Sequence, residues 1–210
     1  MLHLSTIPQK NKMKSTTKII IINIFILFIS LFSLNACKFL HSEDKKVAIY
    51  YDWKGFVENQ IKFLQKQTLS VEKNASINGN TEKQTLKSLK WHKELDLLLQ
   101  ADINKKAFEG LYNVLDSANA ESKYKIYTAK NTNLVVRKLI IITDKNDVIT
   151  KMNANLISEN PLYHSEKQLF ASFSNQNGQP KLQEYHYSGK QKMILMKEEQ
   201  FEIIGKVSNN

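Results

Sequence analysis

The sequence predicts an α+β fold: two main N-terminal helices packed on an antiparallel meander sheet of about seven or eight strands. Two observations carry this expectation. Between residues 52 and 99, apolar residues recur at three- and four-residue spacing, which marks one buried helical face. After Gly110, short apolar and aromatic runs alternate with breaks rich in Asn, Asp, Gly and Ser, and links that short join antiparallel neighbours. If both faces of the C-terminal strands are apolar, the sheet has a second form open to it, a curve into a half-barrel around a ligand.

Taken in order, Val47 to Tyr51 is apolar and aromatic and reads as a short strand. Asp52 offers an N-cap, and Trp53, Phe56, Val57, Ile61 and Leu64 share one helical face, which predicts a helix over 52–66. Leu69, Val71, Ala75 and Ile77 then alternate up to Asn78-Gly79, a strong short-range hairpin signal. The return arm, Asn80 to Leu86, is polar, so this hairpin belongs at an edge or projects from the body. Ser88 is placed to cap a second helix with Trp91, Leu95, Leu98 and Leu99 on its apolar face, and Asn104 to cap a short third one reaching Gly110.

Eight strands follow in the same reading: Leu111–Leu115, Tyr124–Ala129, Leu134–Thr143, Val148–Ile157, Gln168–Ser174, Leu182–Tyr187, Lys192–Lys197 and Phe201–Val207. Turn chemistry separates them at Ser117-Ala118-Asn119, Asn131-Thr132-Asn133, Asp144-Lys145-Asn146, Asn177-Gly178 and Ser188-Gly189. Leu139-Ile140-Ile141-Ile142 is apolar on consecutive residues, which suits a central strand covered on both faces.

The stretch before the folded part has a different logic. Lys10, Lys12, Lys14 and Lys18 precede an apolar run from Ile19 to Leu34, and the run closes on Leu34-Asn35-Ala36-Cys37. A basic region, an apolar core and a small residue before a cleavage point make an export signal. Leu34-Asn35-Ala36-Cys37 resembles the lipobox of bacterial lipoproteins, with Asn35 the less common residue at its place. The resemblance covers residues 10 to 37 and implies that the signal, residues 1–36, is removed and that Cys37 carries lipid. Two or three acyl chains on one cysteine give stable membrane attachment. A transmembrane helix is the competing reading, since Ile19 to Ala36 has 18 residues, the lower limit for a span. Met13-Lys14 offers a second, more compact start.

The expected organisation is therefore a signal over 1–36, a lipidated cysteine and short tether over 37–46, and one domain over 47–210. The nine tether residues from Lys38 to Lys46 reach at most about 30 Å, which keeps the domain close to its membrane. Lys38 stands where an aspartate would retain a lipoprotein at the inner membrane. The resemblance accordingly implies a cell-envelope protein held at the outer membrane, where the cell has one.

Composition excludes several classes. Residues 38–210 hold 26 of the 30 basic residues and all 20 acidic ones, a formal charge of +6. Arg137 is the only arginine, and arginine is the usual residue for bidentate phosphate and base contacts, so no nucleic-acid partner is expected. The lysine excess leaves anionic head groups or wall polymers as partners. With one cysteine, no internal disulfide can form.

No motif names a reaction. His41, His92, His164 and His186 form no close ligand pair, and there is no phosphate loop, serine elbow or dinucleotide glycine pattern. No metal site, cofactor or catalytic residue is therefore assigned. Asp96 and Asp102 would point to different sides of one helix, and Glu198 and Glu199 to opposite faces of a strand, so neither pair serves glycoside hydrolysis. The one candidate ligand surface is Tyr185, His186 and Tyr187, with Met193, Met196 and Phe201 nearby as adaptable apolar contacts. Three functions follow in order: a non-catalytic, lipid-anchored envelope module that binds a protein or polymer partner; a carrier or chaperone for a lipid or other apolar ligand in a curved sheet; and a wall- or glycan-acting enzyme.

Overall fold

The computed structural model describes residues 49–209. Cys37, the tether and His41 lie outside the described residues. Strands hold 57% of the described residues and helical segments 14%, so the sheet dominates the architecture.

Helix α1 (Trp53–Leu64) comes first. The Asp52 carboxylate accepts the Gly55 N–H at 2.9 Å, and Trp53, Val57, Ile61 and Leu64 are buried as their spacing requires. Strands β1 (Leu69–Ile77) and β2 (Asn80–Leu86) form the hairpin, turning at Asn78 and Gly79 with φ of 50° and 84°. β3 (Tyr112–Ala118), β4 (Ser122–Ala129), β5 (Val136–Asp144), β6 (Ile149–Asn160), β7 (Tyr163–Gln176), β8 (Gln179–Met193) and β9 (Glu199–Asn209) form a continuous meander. All pairings are antiparallel, and the order is β2-β1-β9-β8-β7-β6-β5-β4-β3. The sheet is open, with polar β2 at one edge and β3 at the other.

Several sequence expectations need correction. Ile49 to Tyr51 is not a strand. The second main helix does not form as one piece. It breaks at Leu95 (φ −101°, ψ 11°) into two single turns, α2 (Trp91–Glu94) and α3 (Asp96–Leu99), neither with a side-chain cap. Trp91, Leu95 and Leu98 are nonetheless buried, so burial rather than a continuous hydrogen-bond ladder holds the segment. Asn104 caps no helix. Its Oδ1 instead accepts the N–H groups of Ile49 and Tyr50 at 3.1 and 3.0 Å, and only a 3-10 turn, Lys106–Phe108, follows.

Lys192–Lys197 is not a strand of its own, and Ser188-Gly189 is not a turn. β8 runs through both to Met193. Gly189 is there for close packing: a Cβ at this position would lie 2.3 Å from the Glu166 carbonyl oxygen and 3.0 Å from the Phe201 ring. Seven strands, not eight, therefore follow Gly110, and with the hairpin they make nine.

One face of the sheet, the inner face, packs against the helical segments. Trp53 donates its indole N–H to the Leu98 carbonyl at 2.7 Å, which ties α1 to α3. Gln60 donates to the Pro180 carbonyl at 2.7 Å and accepts the Leu182 N–H at 3.2 Å, and Phe56 meets Phe173 edge-on at 5.1 Å. These contacts set α1 over β7 and β8.

The tightest join lies at the other helical segment. Lys73, Gly205 and Tyr185 are register neighbours across β1, β9 and β8. Gly205 has no side chain, so the Tyr185 ring lies over its backbone. The Tyr185 hydroxyl donates to the Glu94 carboxylate of α2, which also accepts from the Lys73 ammonium at 2.7 Å. The side chains of Lys73 and Glu94 are only 20% and 13% exposed, so the pair is largely withdrawn from water.

Gly205→Ala is expected to destabilise the domain by about 1–3 kcal/mol, because the added Cβ would meet the Tyr185 ring with no room to move. The clash is 2.0 Å to the nearest ring atom. Urea unfolding measures this; an unchanged midpoint would contradict the packing described.

Candidate functional site

The helical segments do not cover the whole inner face. Their cover ends near Tyr112 and Tyr127, both buried, and beyond them the inner-face residues of β3 and β4 are exposed. An open groove of about 550 Å³ lies there, lined by Tyr51, Asp116, Ser117, Ala118, Lys123, Tyr124, Lys125, Ile141, Thr143 and Asp147.

Strand alternation builds it. Tyr127 points inward, so Lys125 and Lys123, two and four residues before it, share its face. Asp116 is the register partner of Lys125, and their side chains pair at 3.5 Å. Asp147, in the β5–β6 turn with φ 64°, reaches Lys123 at 2.8 Å. Ile141 of β5 is the register partner of Lys125 on its other side and belongs to the groove floor.

A tyrosine cluster closes one wall. The Tyr51 N–H donates to the Tyr127 hydroxyl at 3.1 Å. The Tyr50 hydroxyl donates to the Phe108 carbonyl at 3.0 Å, and the Tyr50 ring meets Tyr112 and Tyr127 edge-on at 5.6 and 5.7 Å. The Tyr112 hydroxyl donates to the Val136 carbonyl at 2.9 Å. Burial, reinforced by the Asp52 charge and Tyr127, pushes the Tyr51 phenol up to about 12. Burial, then Tyr50, pushes Tyr112 up to about 12 as well, with Arg137 opposing. Tyr127 is raised for the same first reason.

Both ion pairs are exposed at the groove's edge and contribute little to stability, about 0–1 kcal/mol each. A charged ligand group can therefore replace either partner at small cost. The lining supplies two cations, two carboxylates, the Tyr51 phenol and an apolar floor. It contains no cysteine or histidine, and among the described residues no cluster of three or more His, Cys, Asp or Glu could hold a metal ion.

The residues singled out by sequence lie elsewhere, and only Tyr185 and Tyr187 come together, without His186. Tyr185 and Tyr187 face inward, stacked at 4.9 Å beneath α2, with the Tyr187 hydroxyl 3.4 Å from the Glu94 carbonyl oxygen. Burial raises both phenols, and Glu94 adds to the effect. His186 points to the opposite face, where it meets Glu202 at 2.9 Å. Alternation along β8 thus divides the expected ligand surface between core and solvent. His164 pairs with Glu166 at 2.9 Å, and His92 is exposed on α2. Asp96 accepts from Gln100 at 3.1 Å, and buried Asp102 accepts the Asn104 N–H at 3.1 Å.

The groove residues carried no sequence motif. The available signal was Lys123, Lys125 and Tyr127 on alternate residues, and it looks like any solvated strand until Tyr51 is brought beside it. Compared with family models, curated proteins and solved structures, the chain matches none of them.

Because the folded-state phenols are raised, their stabilising effect is complete below about pH 10, the unfolded tyrosine value, and is lost as pH rises toward the folded values. Tyr51 and Tyr112 are expected to titrate near 12 by phenolate absorbance, with stability falling over the same window. Titration of every tyrosine near pH 10 in the folded protein would contradict the burial described.

Proposed function

We propose that the chain is a lipid-anchored module of the cell envelope that binds a protein or polymer partner without turning it over. Attachment runs through Cys37, and Lys38 beside it favours the outer membrane. The observation that carries the reading is the open groove beside the filled core. Its walls offer both charges and a phenol, its floor is apolar, and it is open to solvent. Those are the properties of a surface that holds a stretch of polar chain by many weak contacts.

The carrier reading has less support. A half-barrel carrier needs an empty apolar hollow, and the middle of the inner face is occupied by Trp53, Trp91, Leu95, Leu98 and Ile103. The enzyme reading lacks a poised group: the groove carboxylates Asp116 and Asp147 are each held by a lysine.

Lys123→Glu combined with Lys125→Glu reverses the groove's cationic wall at two exposed positions and leaves the core intact. Co-sedimentation of the full chain with isolated wall polymer, and with solubilised envelope protein, is expected to weaken about tenfold in the double variant. The urea midpoint should change little. Equal retention of both forms, or no retention of the unaltered chain on either material, would refute the proposal.

A further inference from the structure

Exposed apolar residues gather at one end of the sheet. The turn from β8 to β9 carries Met193, Ile194, Leu195 and Met196, each more than half exposed, with Leu195 at 99%. Leu162, also more than half exposed, stands beside them in the β6–β7 turn, because the Ile194 N–H donates to its carbonyl at 2.9 Å. Five apolar side chains therefore project together into solvent.

The backbone at the tip is unusual. The Met196 N–H donates to the Met193 carbonyl at 3.1 Å, which makes Leu195 the third residue of a tight turn, with φ 63°. Such a position favours Gly or Asn. The six other described residues with positive φ are Asn78, Gly79, Gly110, Asp147, Asn177 and Gly178. Leu195 alone is apolar, and it buries nothing against its own domain. The fold gains nothing from a leucine there.

Charge surrounds the knob in a definite way. Lys192 and Lys197 flank it, both exposed, and no ion pair among the described residues engages either. Glu198 and Glu199 sit behind, where β9 begins, and Glu199 accepts from Gln191 at 3.0 Å.

The geometry points to a lipid surface with anionic head groups as the occupant of this tip. A convex apolar knob enters the acyl boundary of a bilayer while flanking ammonium groups stay at the phosphates. A protein partner would have to offer a matching pocket, and a polar polymer gains nothing from five bare apolar side chains. The contact is separate from the groove and from any lipid on Cys37. It gives the folded domain a second hold on the membrane and sets which end faces it.

Tryptophan placed at the tip reads this contact directly. The full chain with Leu195→Trp is mixed with vesicles of phosphatidylcholine and phosphatidylglycerol carrying doxyl-labelled lipid, and the unaltered chain supplies the background from buried Trp53 and Trp91. A second variant, Lys145→Trp, reports on the β5–β6 turn at the opposite end of the sheet. Expected are a blue shift and quenching at position 195, absent at 145, and lost when Lys192→Glu and Lys197→Glu are added. The readout concerns one side chain, so it is independent of how residues 10 to 37 attach the chain. Water-like, unquenched emission at 195 on vesicle-bound protein would overturn the proposal. A blue shift already present without vesicles would assign the tip to another protein surface, and equal quenching at 145 would remove any orientation; either also overturns it.

Discussion

The structure depends on a missing side chain. At Gly205 the absent Cβ leaves room for the Tyr185 ring, whose hydroxyl meets Glu94 of the helical layer beside the Lys73 ammonium. α2 and α3 are single turns without caps, too short to persist on their own hydrogen bonds. Their position comes from where Trp91, Leu95 and Leu98 find burial, from the Trp53 hydrogen bond to Leu98, and from this polar anchor to the sheet. An ion pair this withdrawn from water is costly to half-remove, because the remaining charge stays unpaired.

That anchor decides where the helical layer stops. α1 is fixed over β7 and β8 through Gln60 and Phe56, and α2 over β8, β9 and β1 through Glu94. Toward β3 the cover is completed by Tyr50, Phe108, Tyr112 and Tyr127. The remaining inner-face length of β3 and β4 stays open and becomes the groove. At the opposite end of the strands from the β5–β6 turn, the β8–β9 turn extends beyond the body and carries apolar residues the core does not need. One sheet thus presents a polar groove and an apolar tip in different places.

How much of this the sequence disclosed follows from what periodicity can carry. The α1 face, the Asn78-Gly79 hairpin and most strand positions are local patterns, and they are where the residues predict them. The break at Leu95 has no local signal, and Glu94 beside it is engaged by partners 21 and 91 residues away. A glycine needed for close approach looks the same in sequence as one needed for a positive φ, so Ser188-Gly189 reads as a turn although Gly189 lies within β8. The register shift at Ser172 and Phe173 had no local signal either. The groove was invisible because it joins Tyr51 to strands 65 or more residues later. His186 failed as a companion to Tyr185 and Tyr187 for the simplest reason, that neighbours on a strand face opposite ways.

A double-mutant cycle tests the anchor most directly. Glu94→Gln and Tyr185→Phe are made singly and together, and each unfolding free energy is measured in urea. If Glu94 joins the layers as described, the two changes couple by about 1–3 kcal/mol, the pair costing less than the sum. Additivity within about 0.5 kcal/mol would mean that the Glu94–Tyr185 contact does not join the helical layer to the sheet, and the account of the fold would fail at its centre.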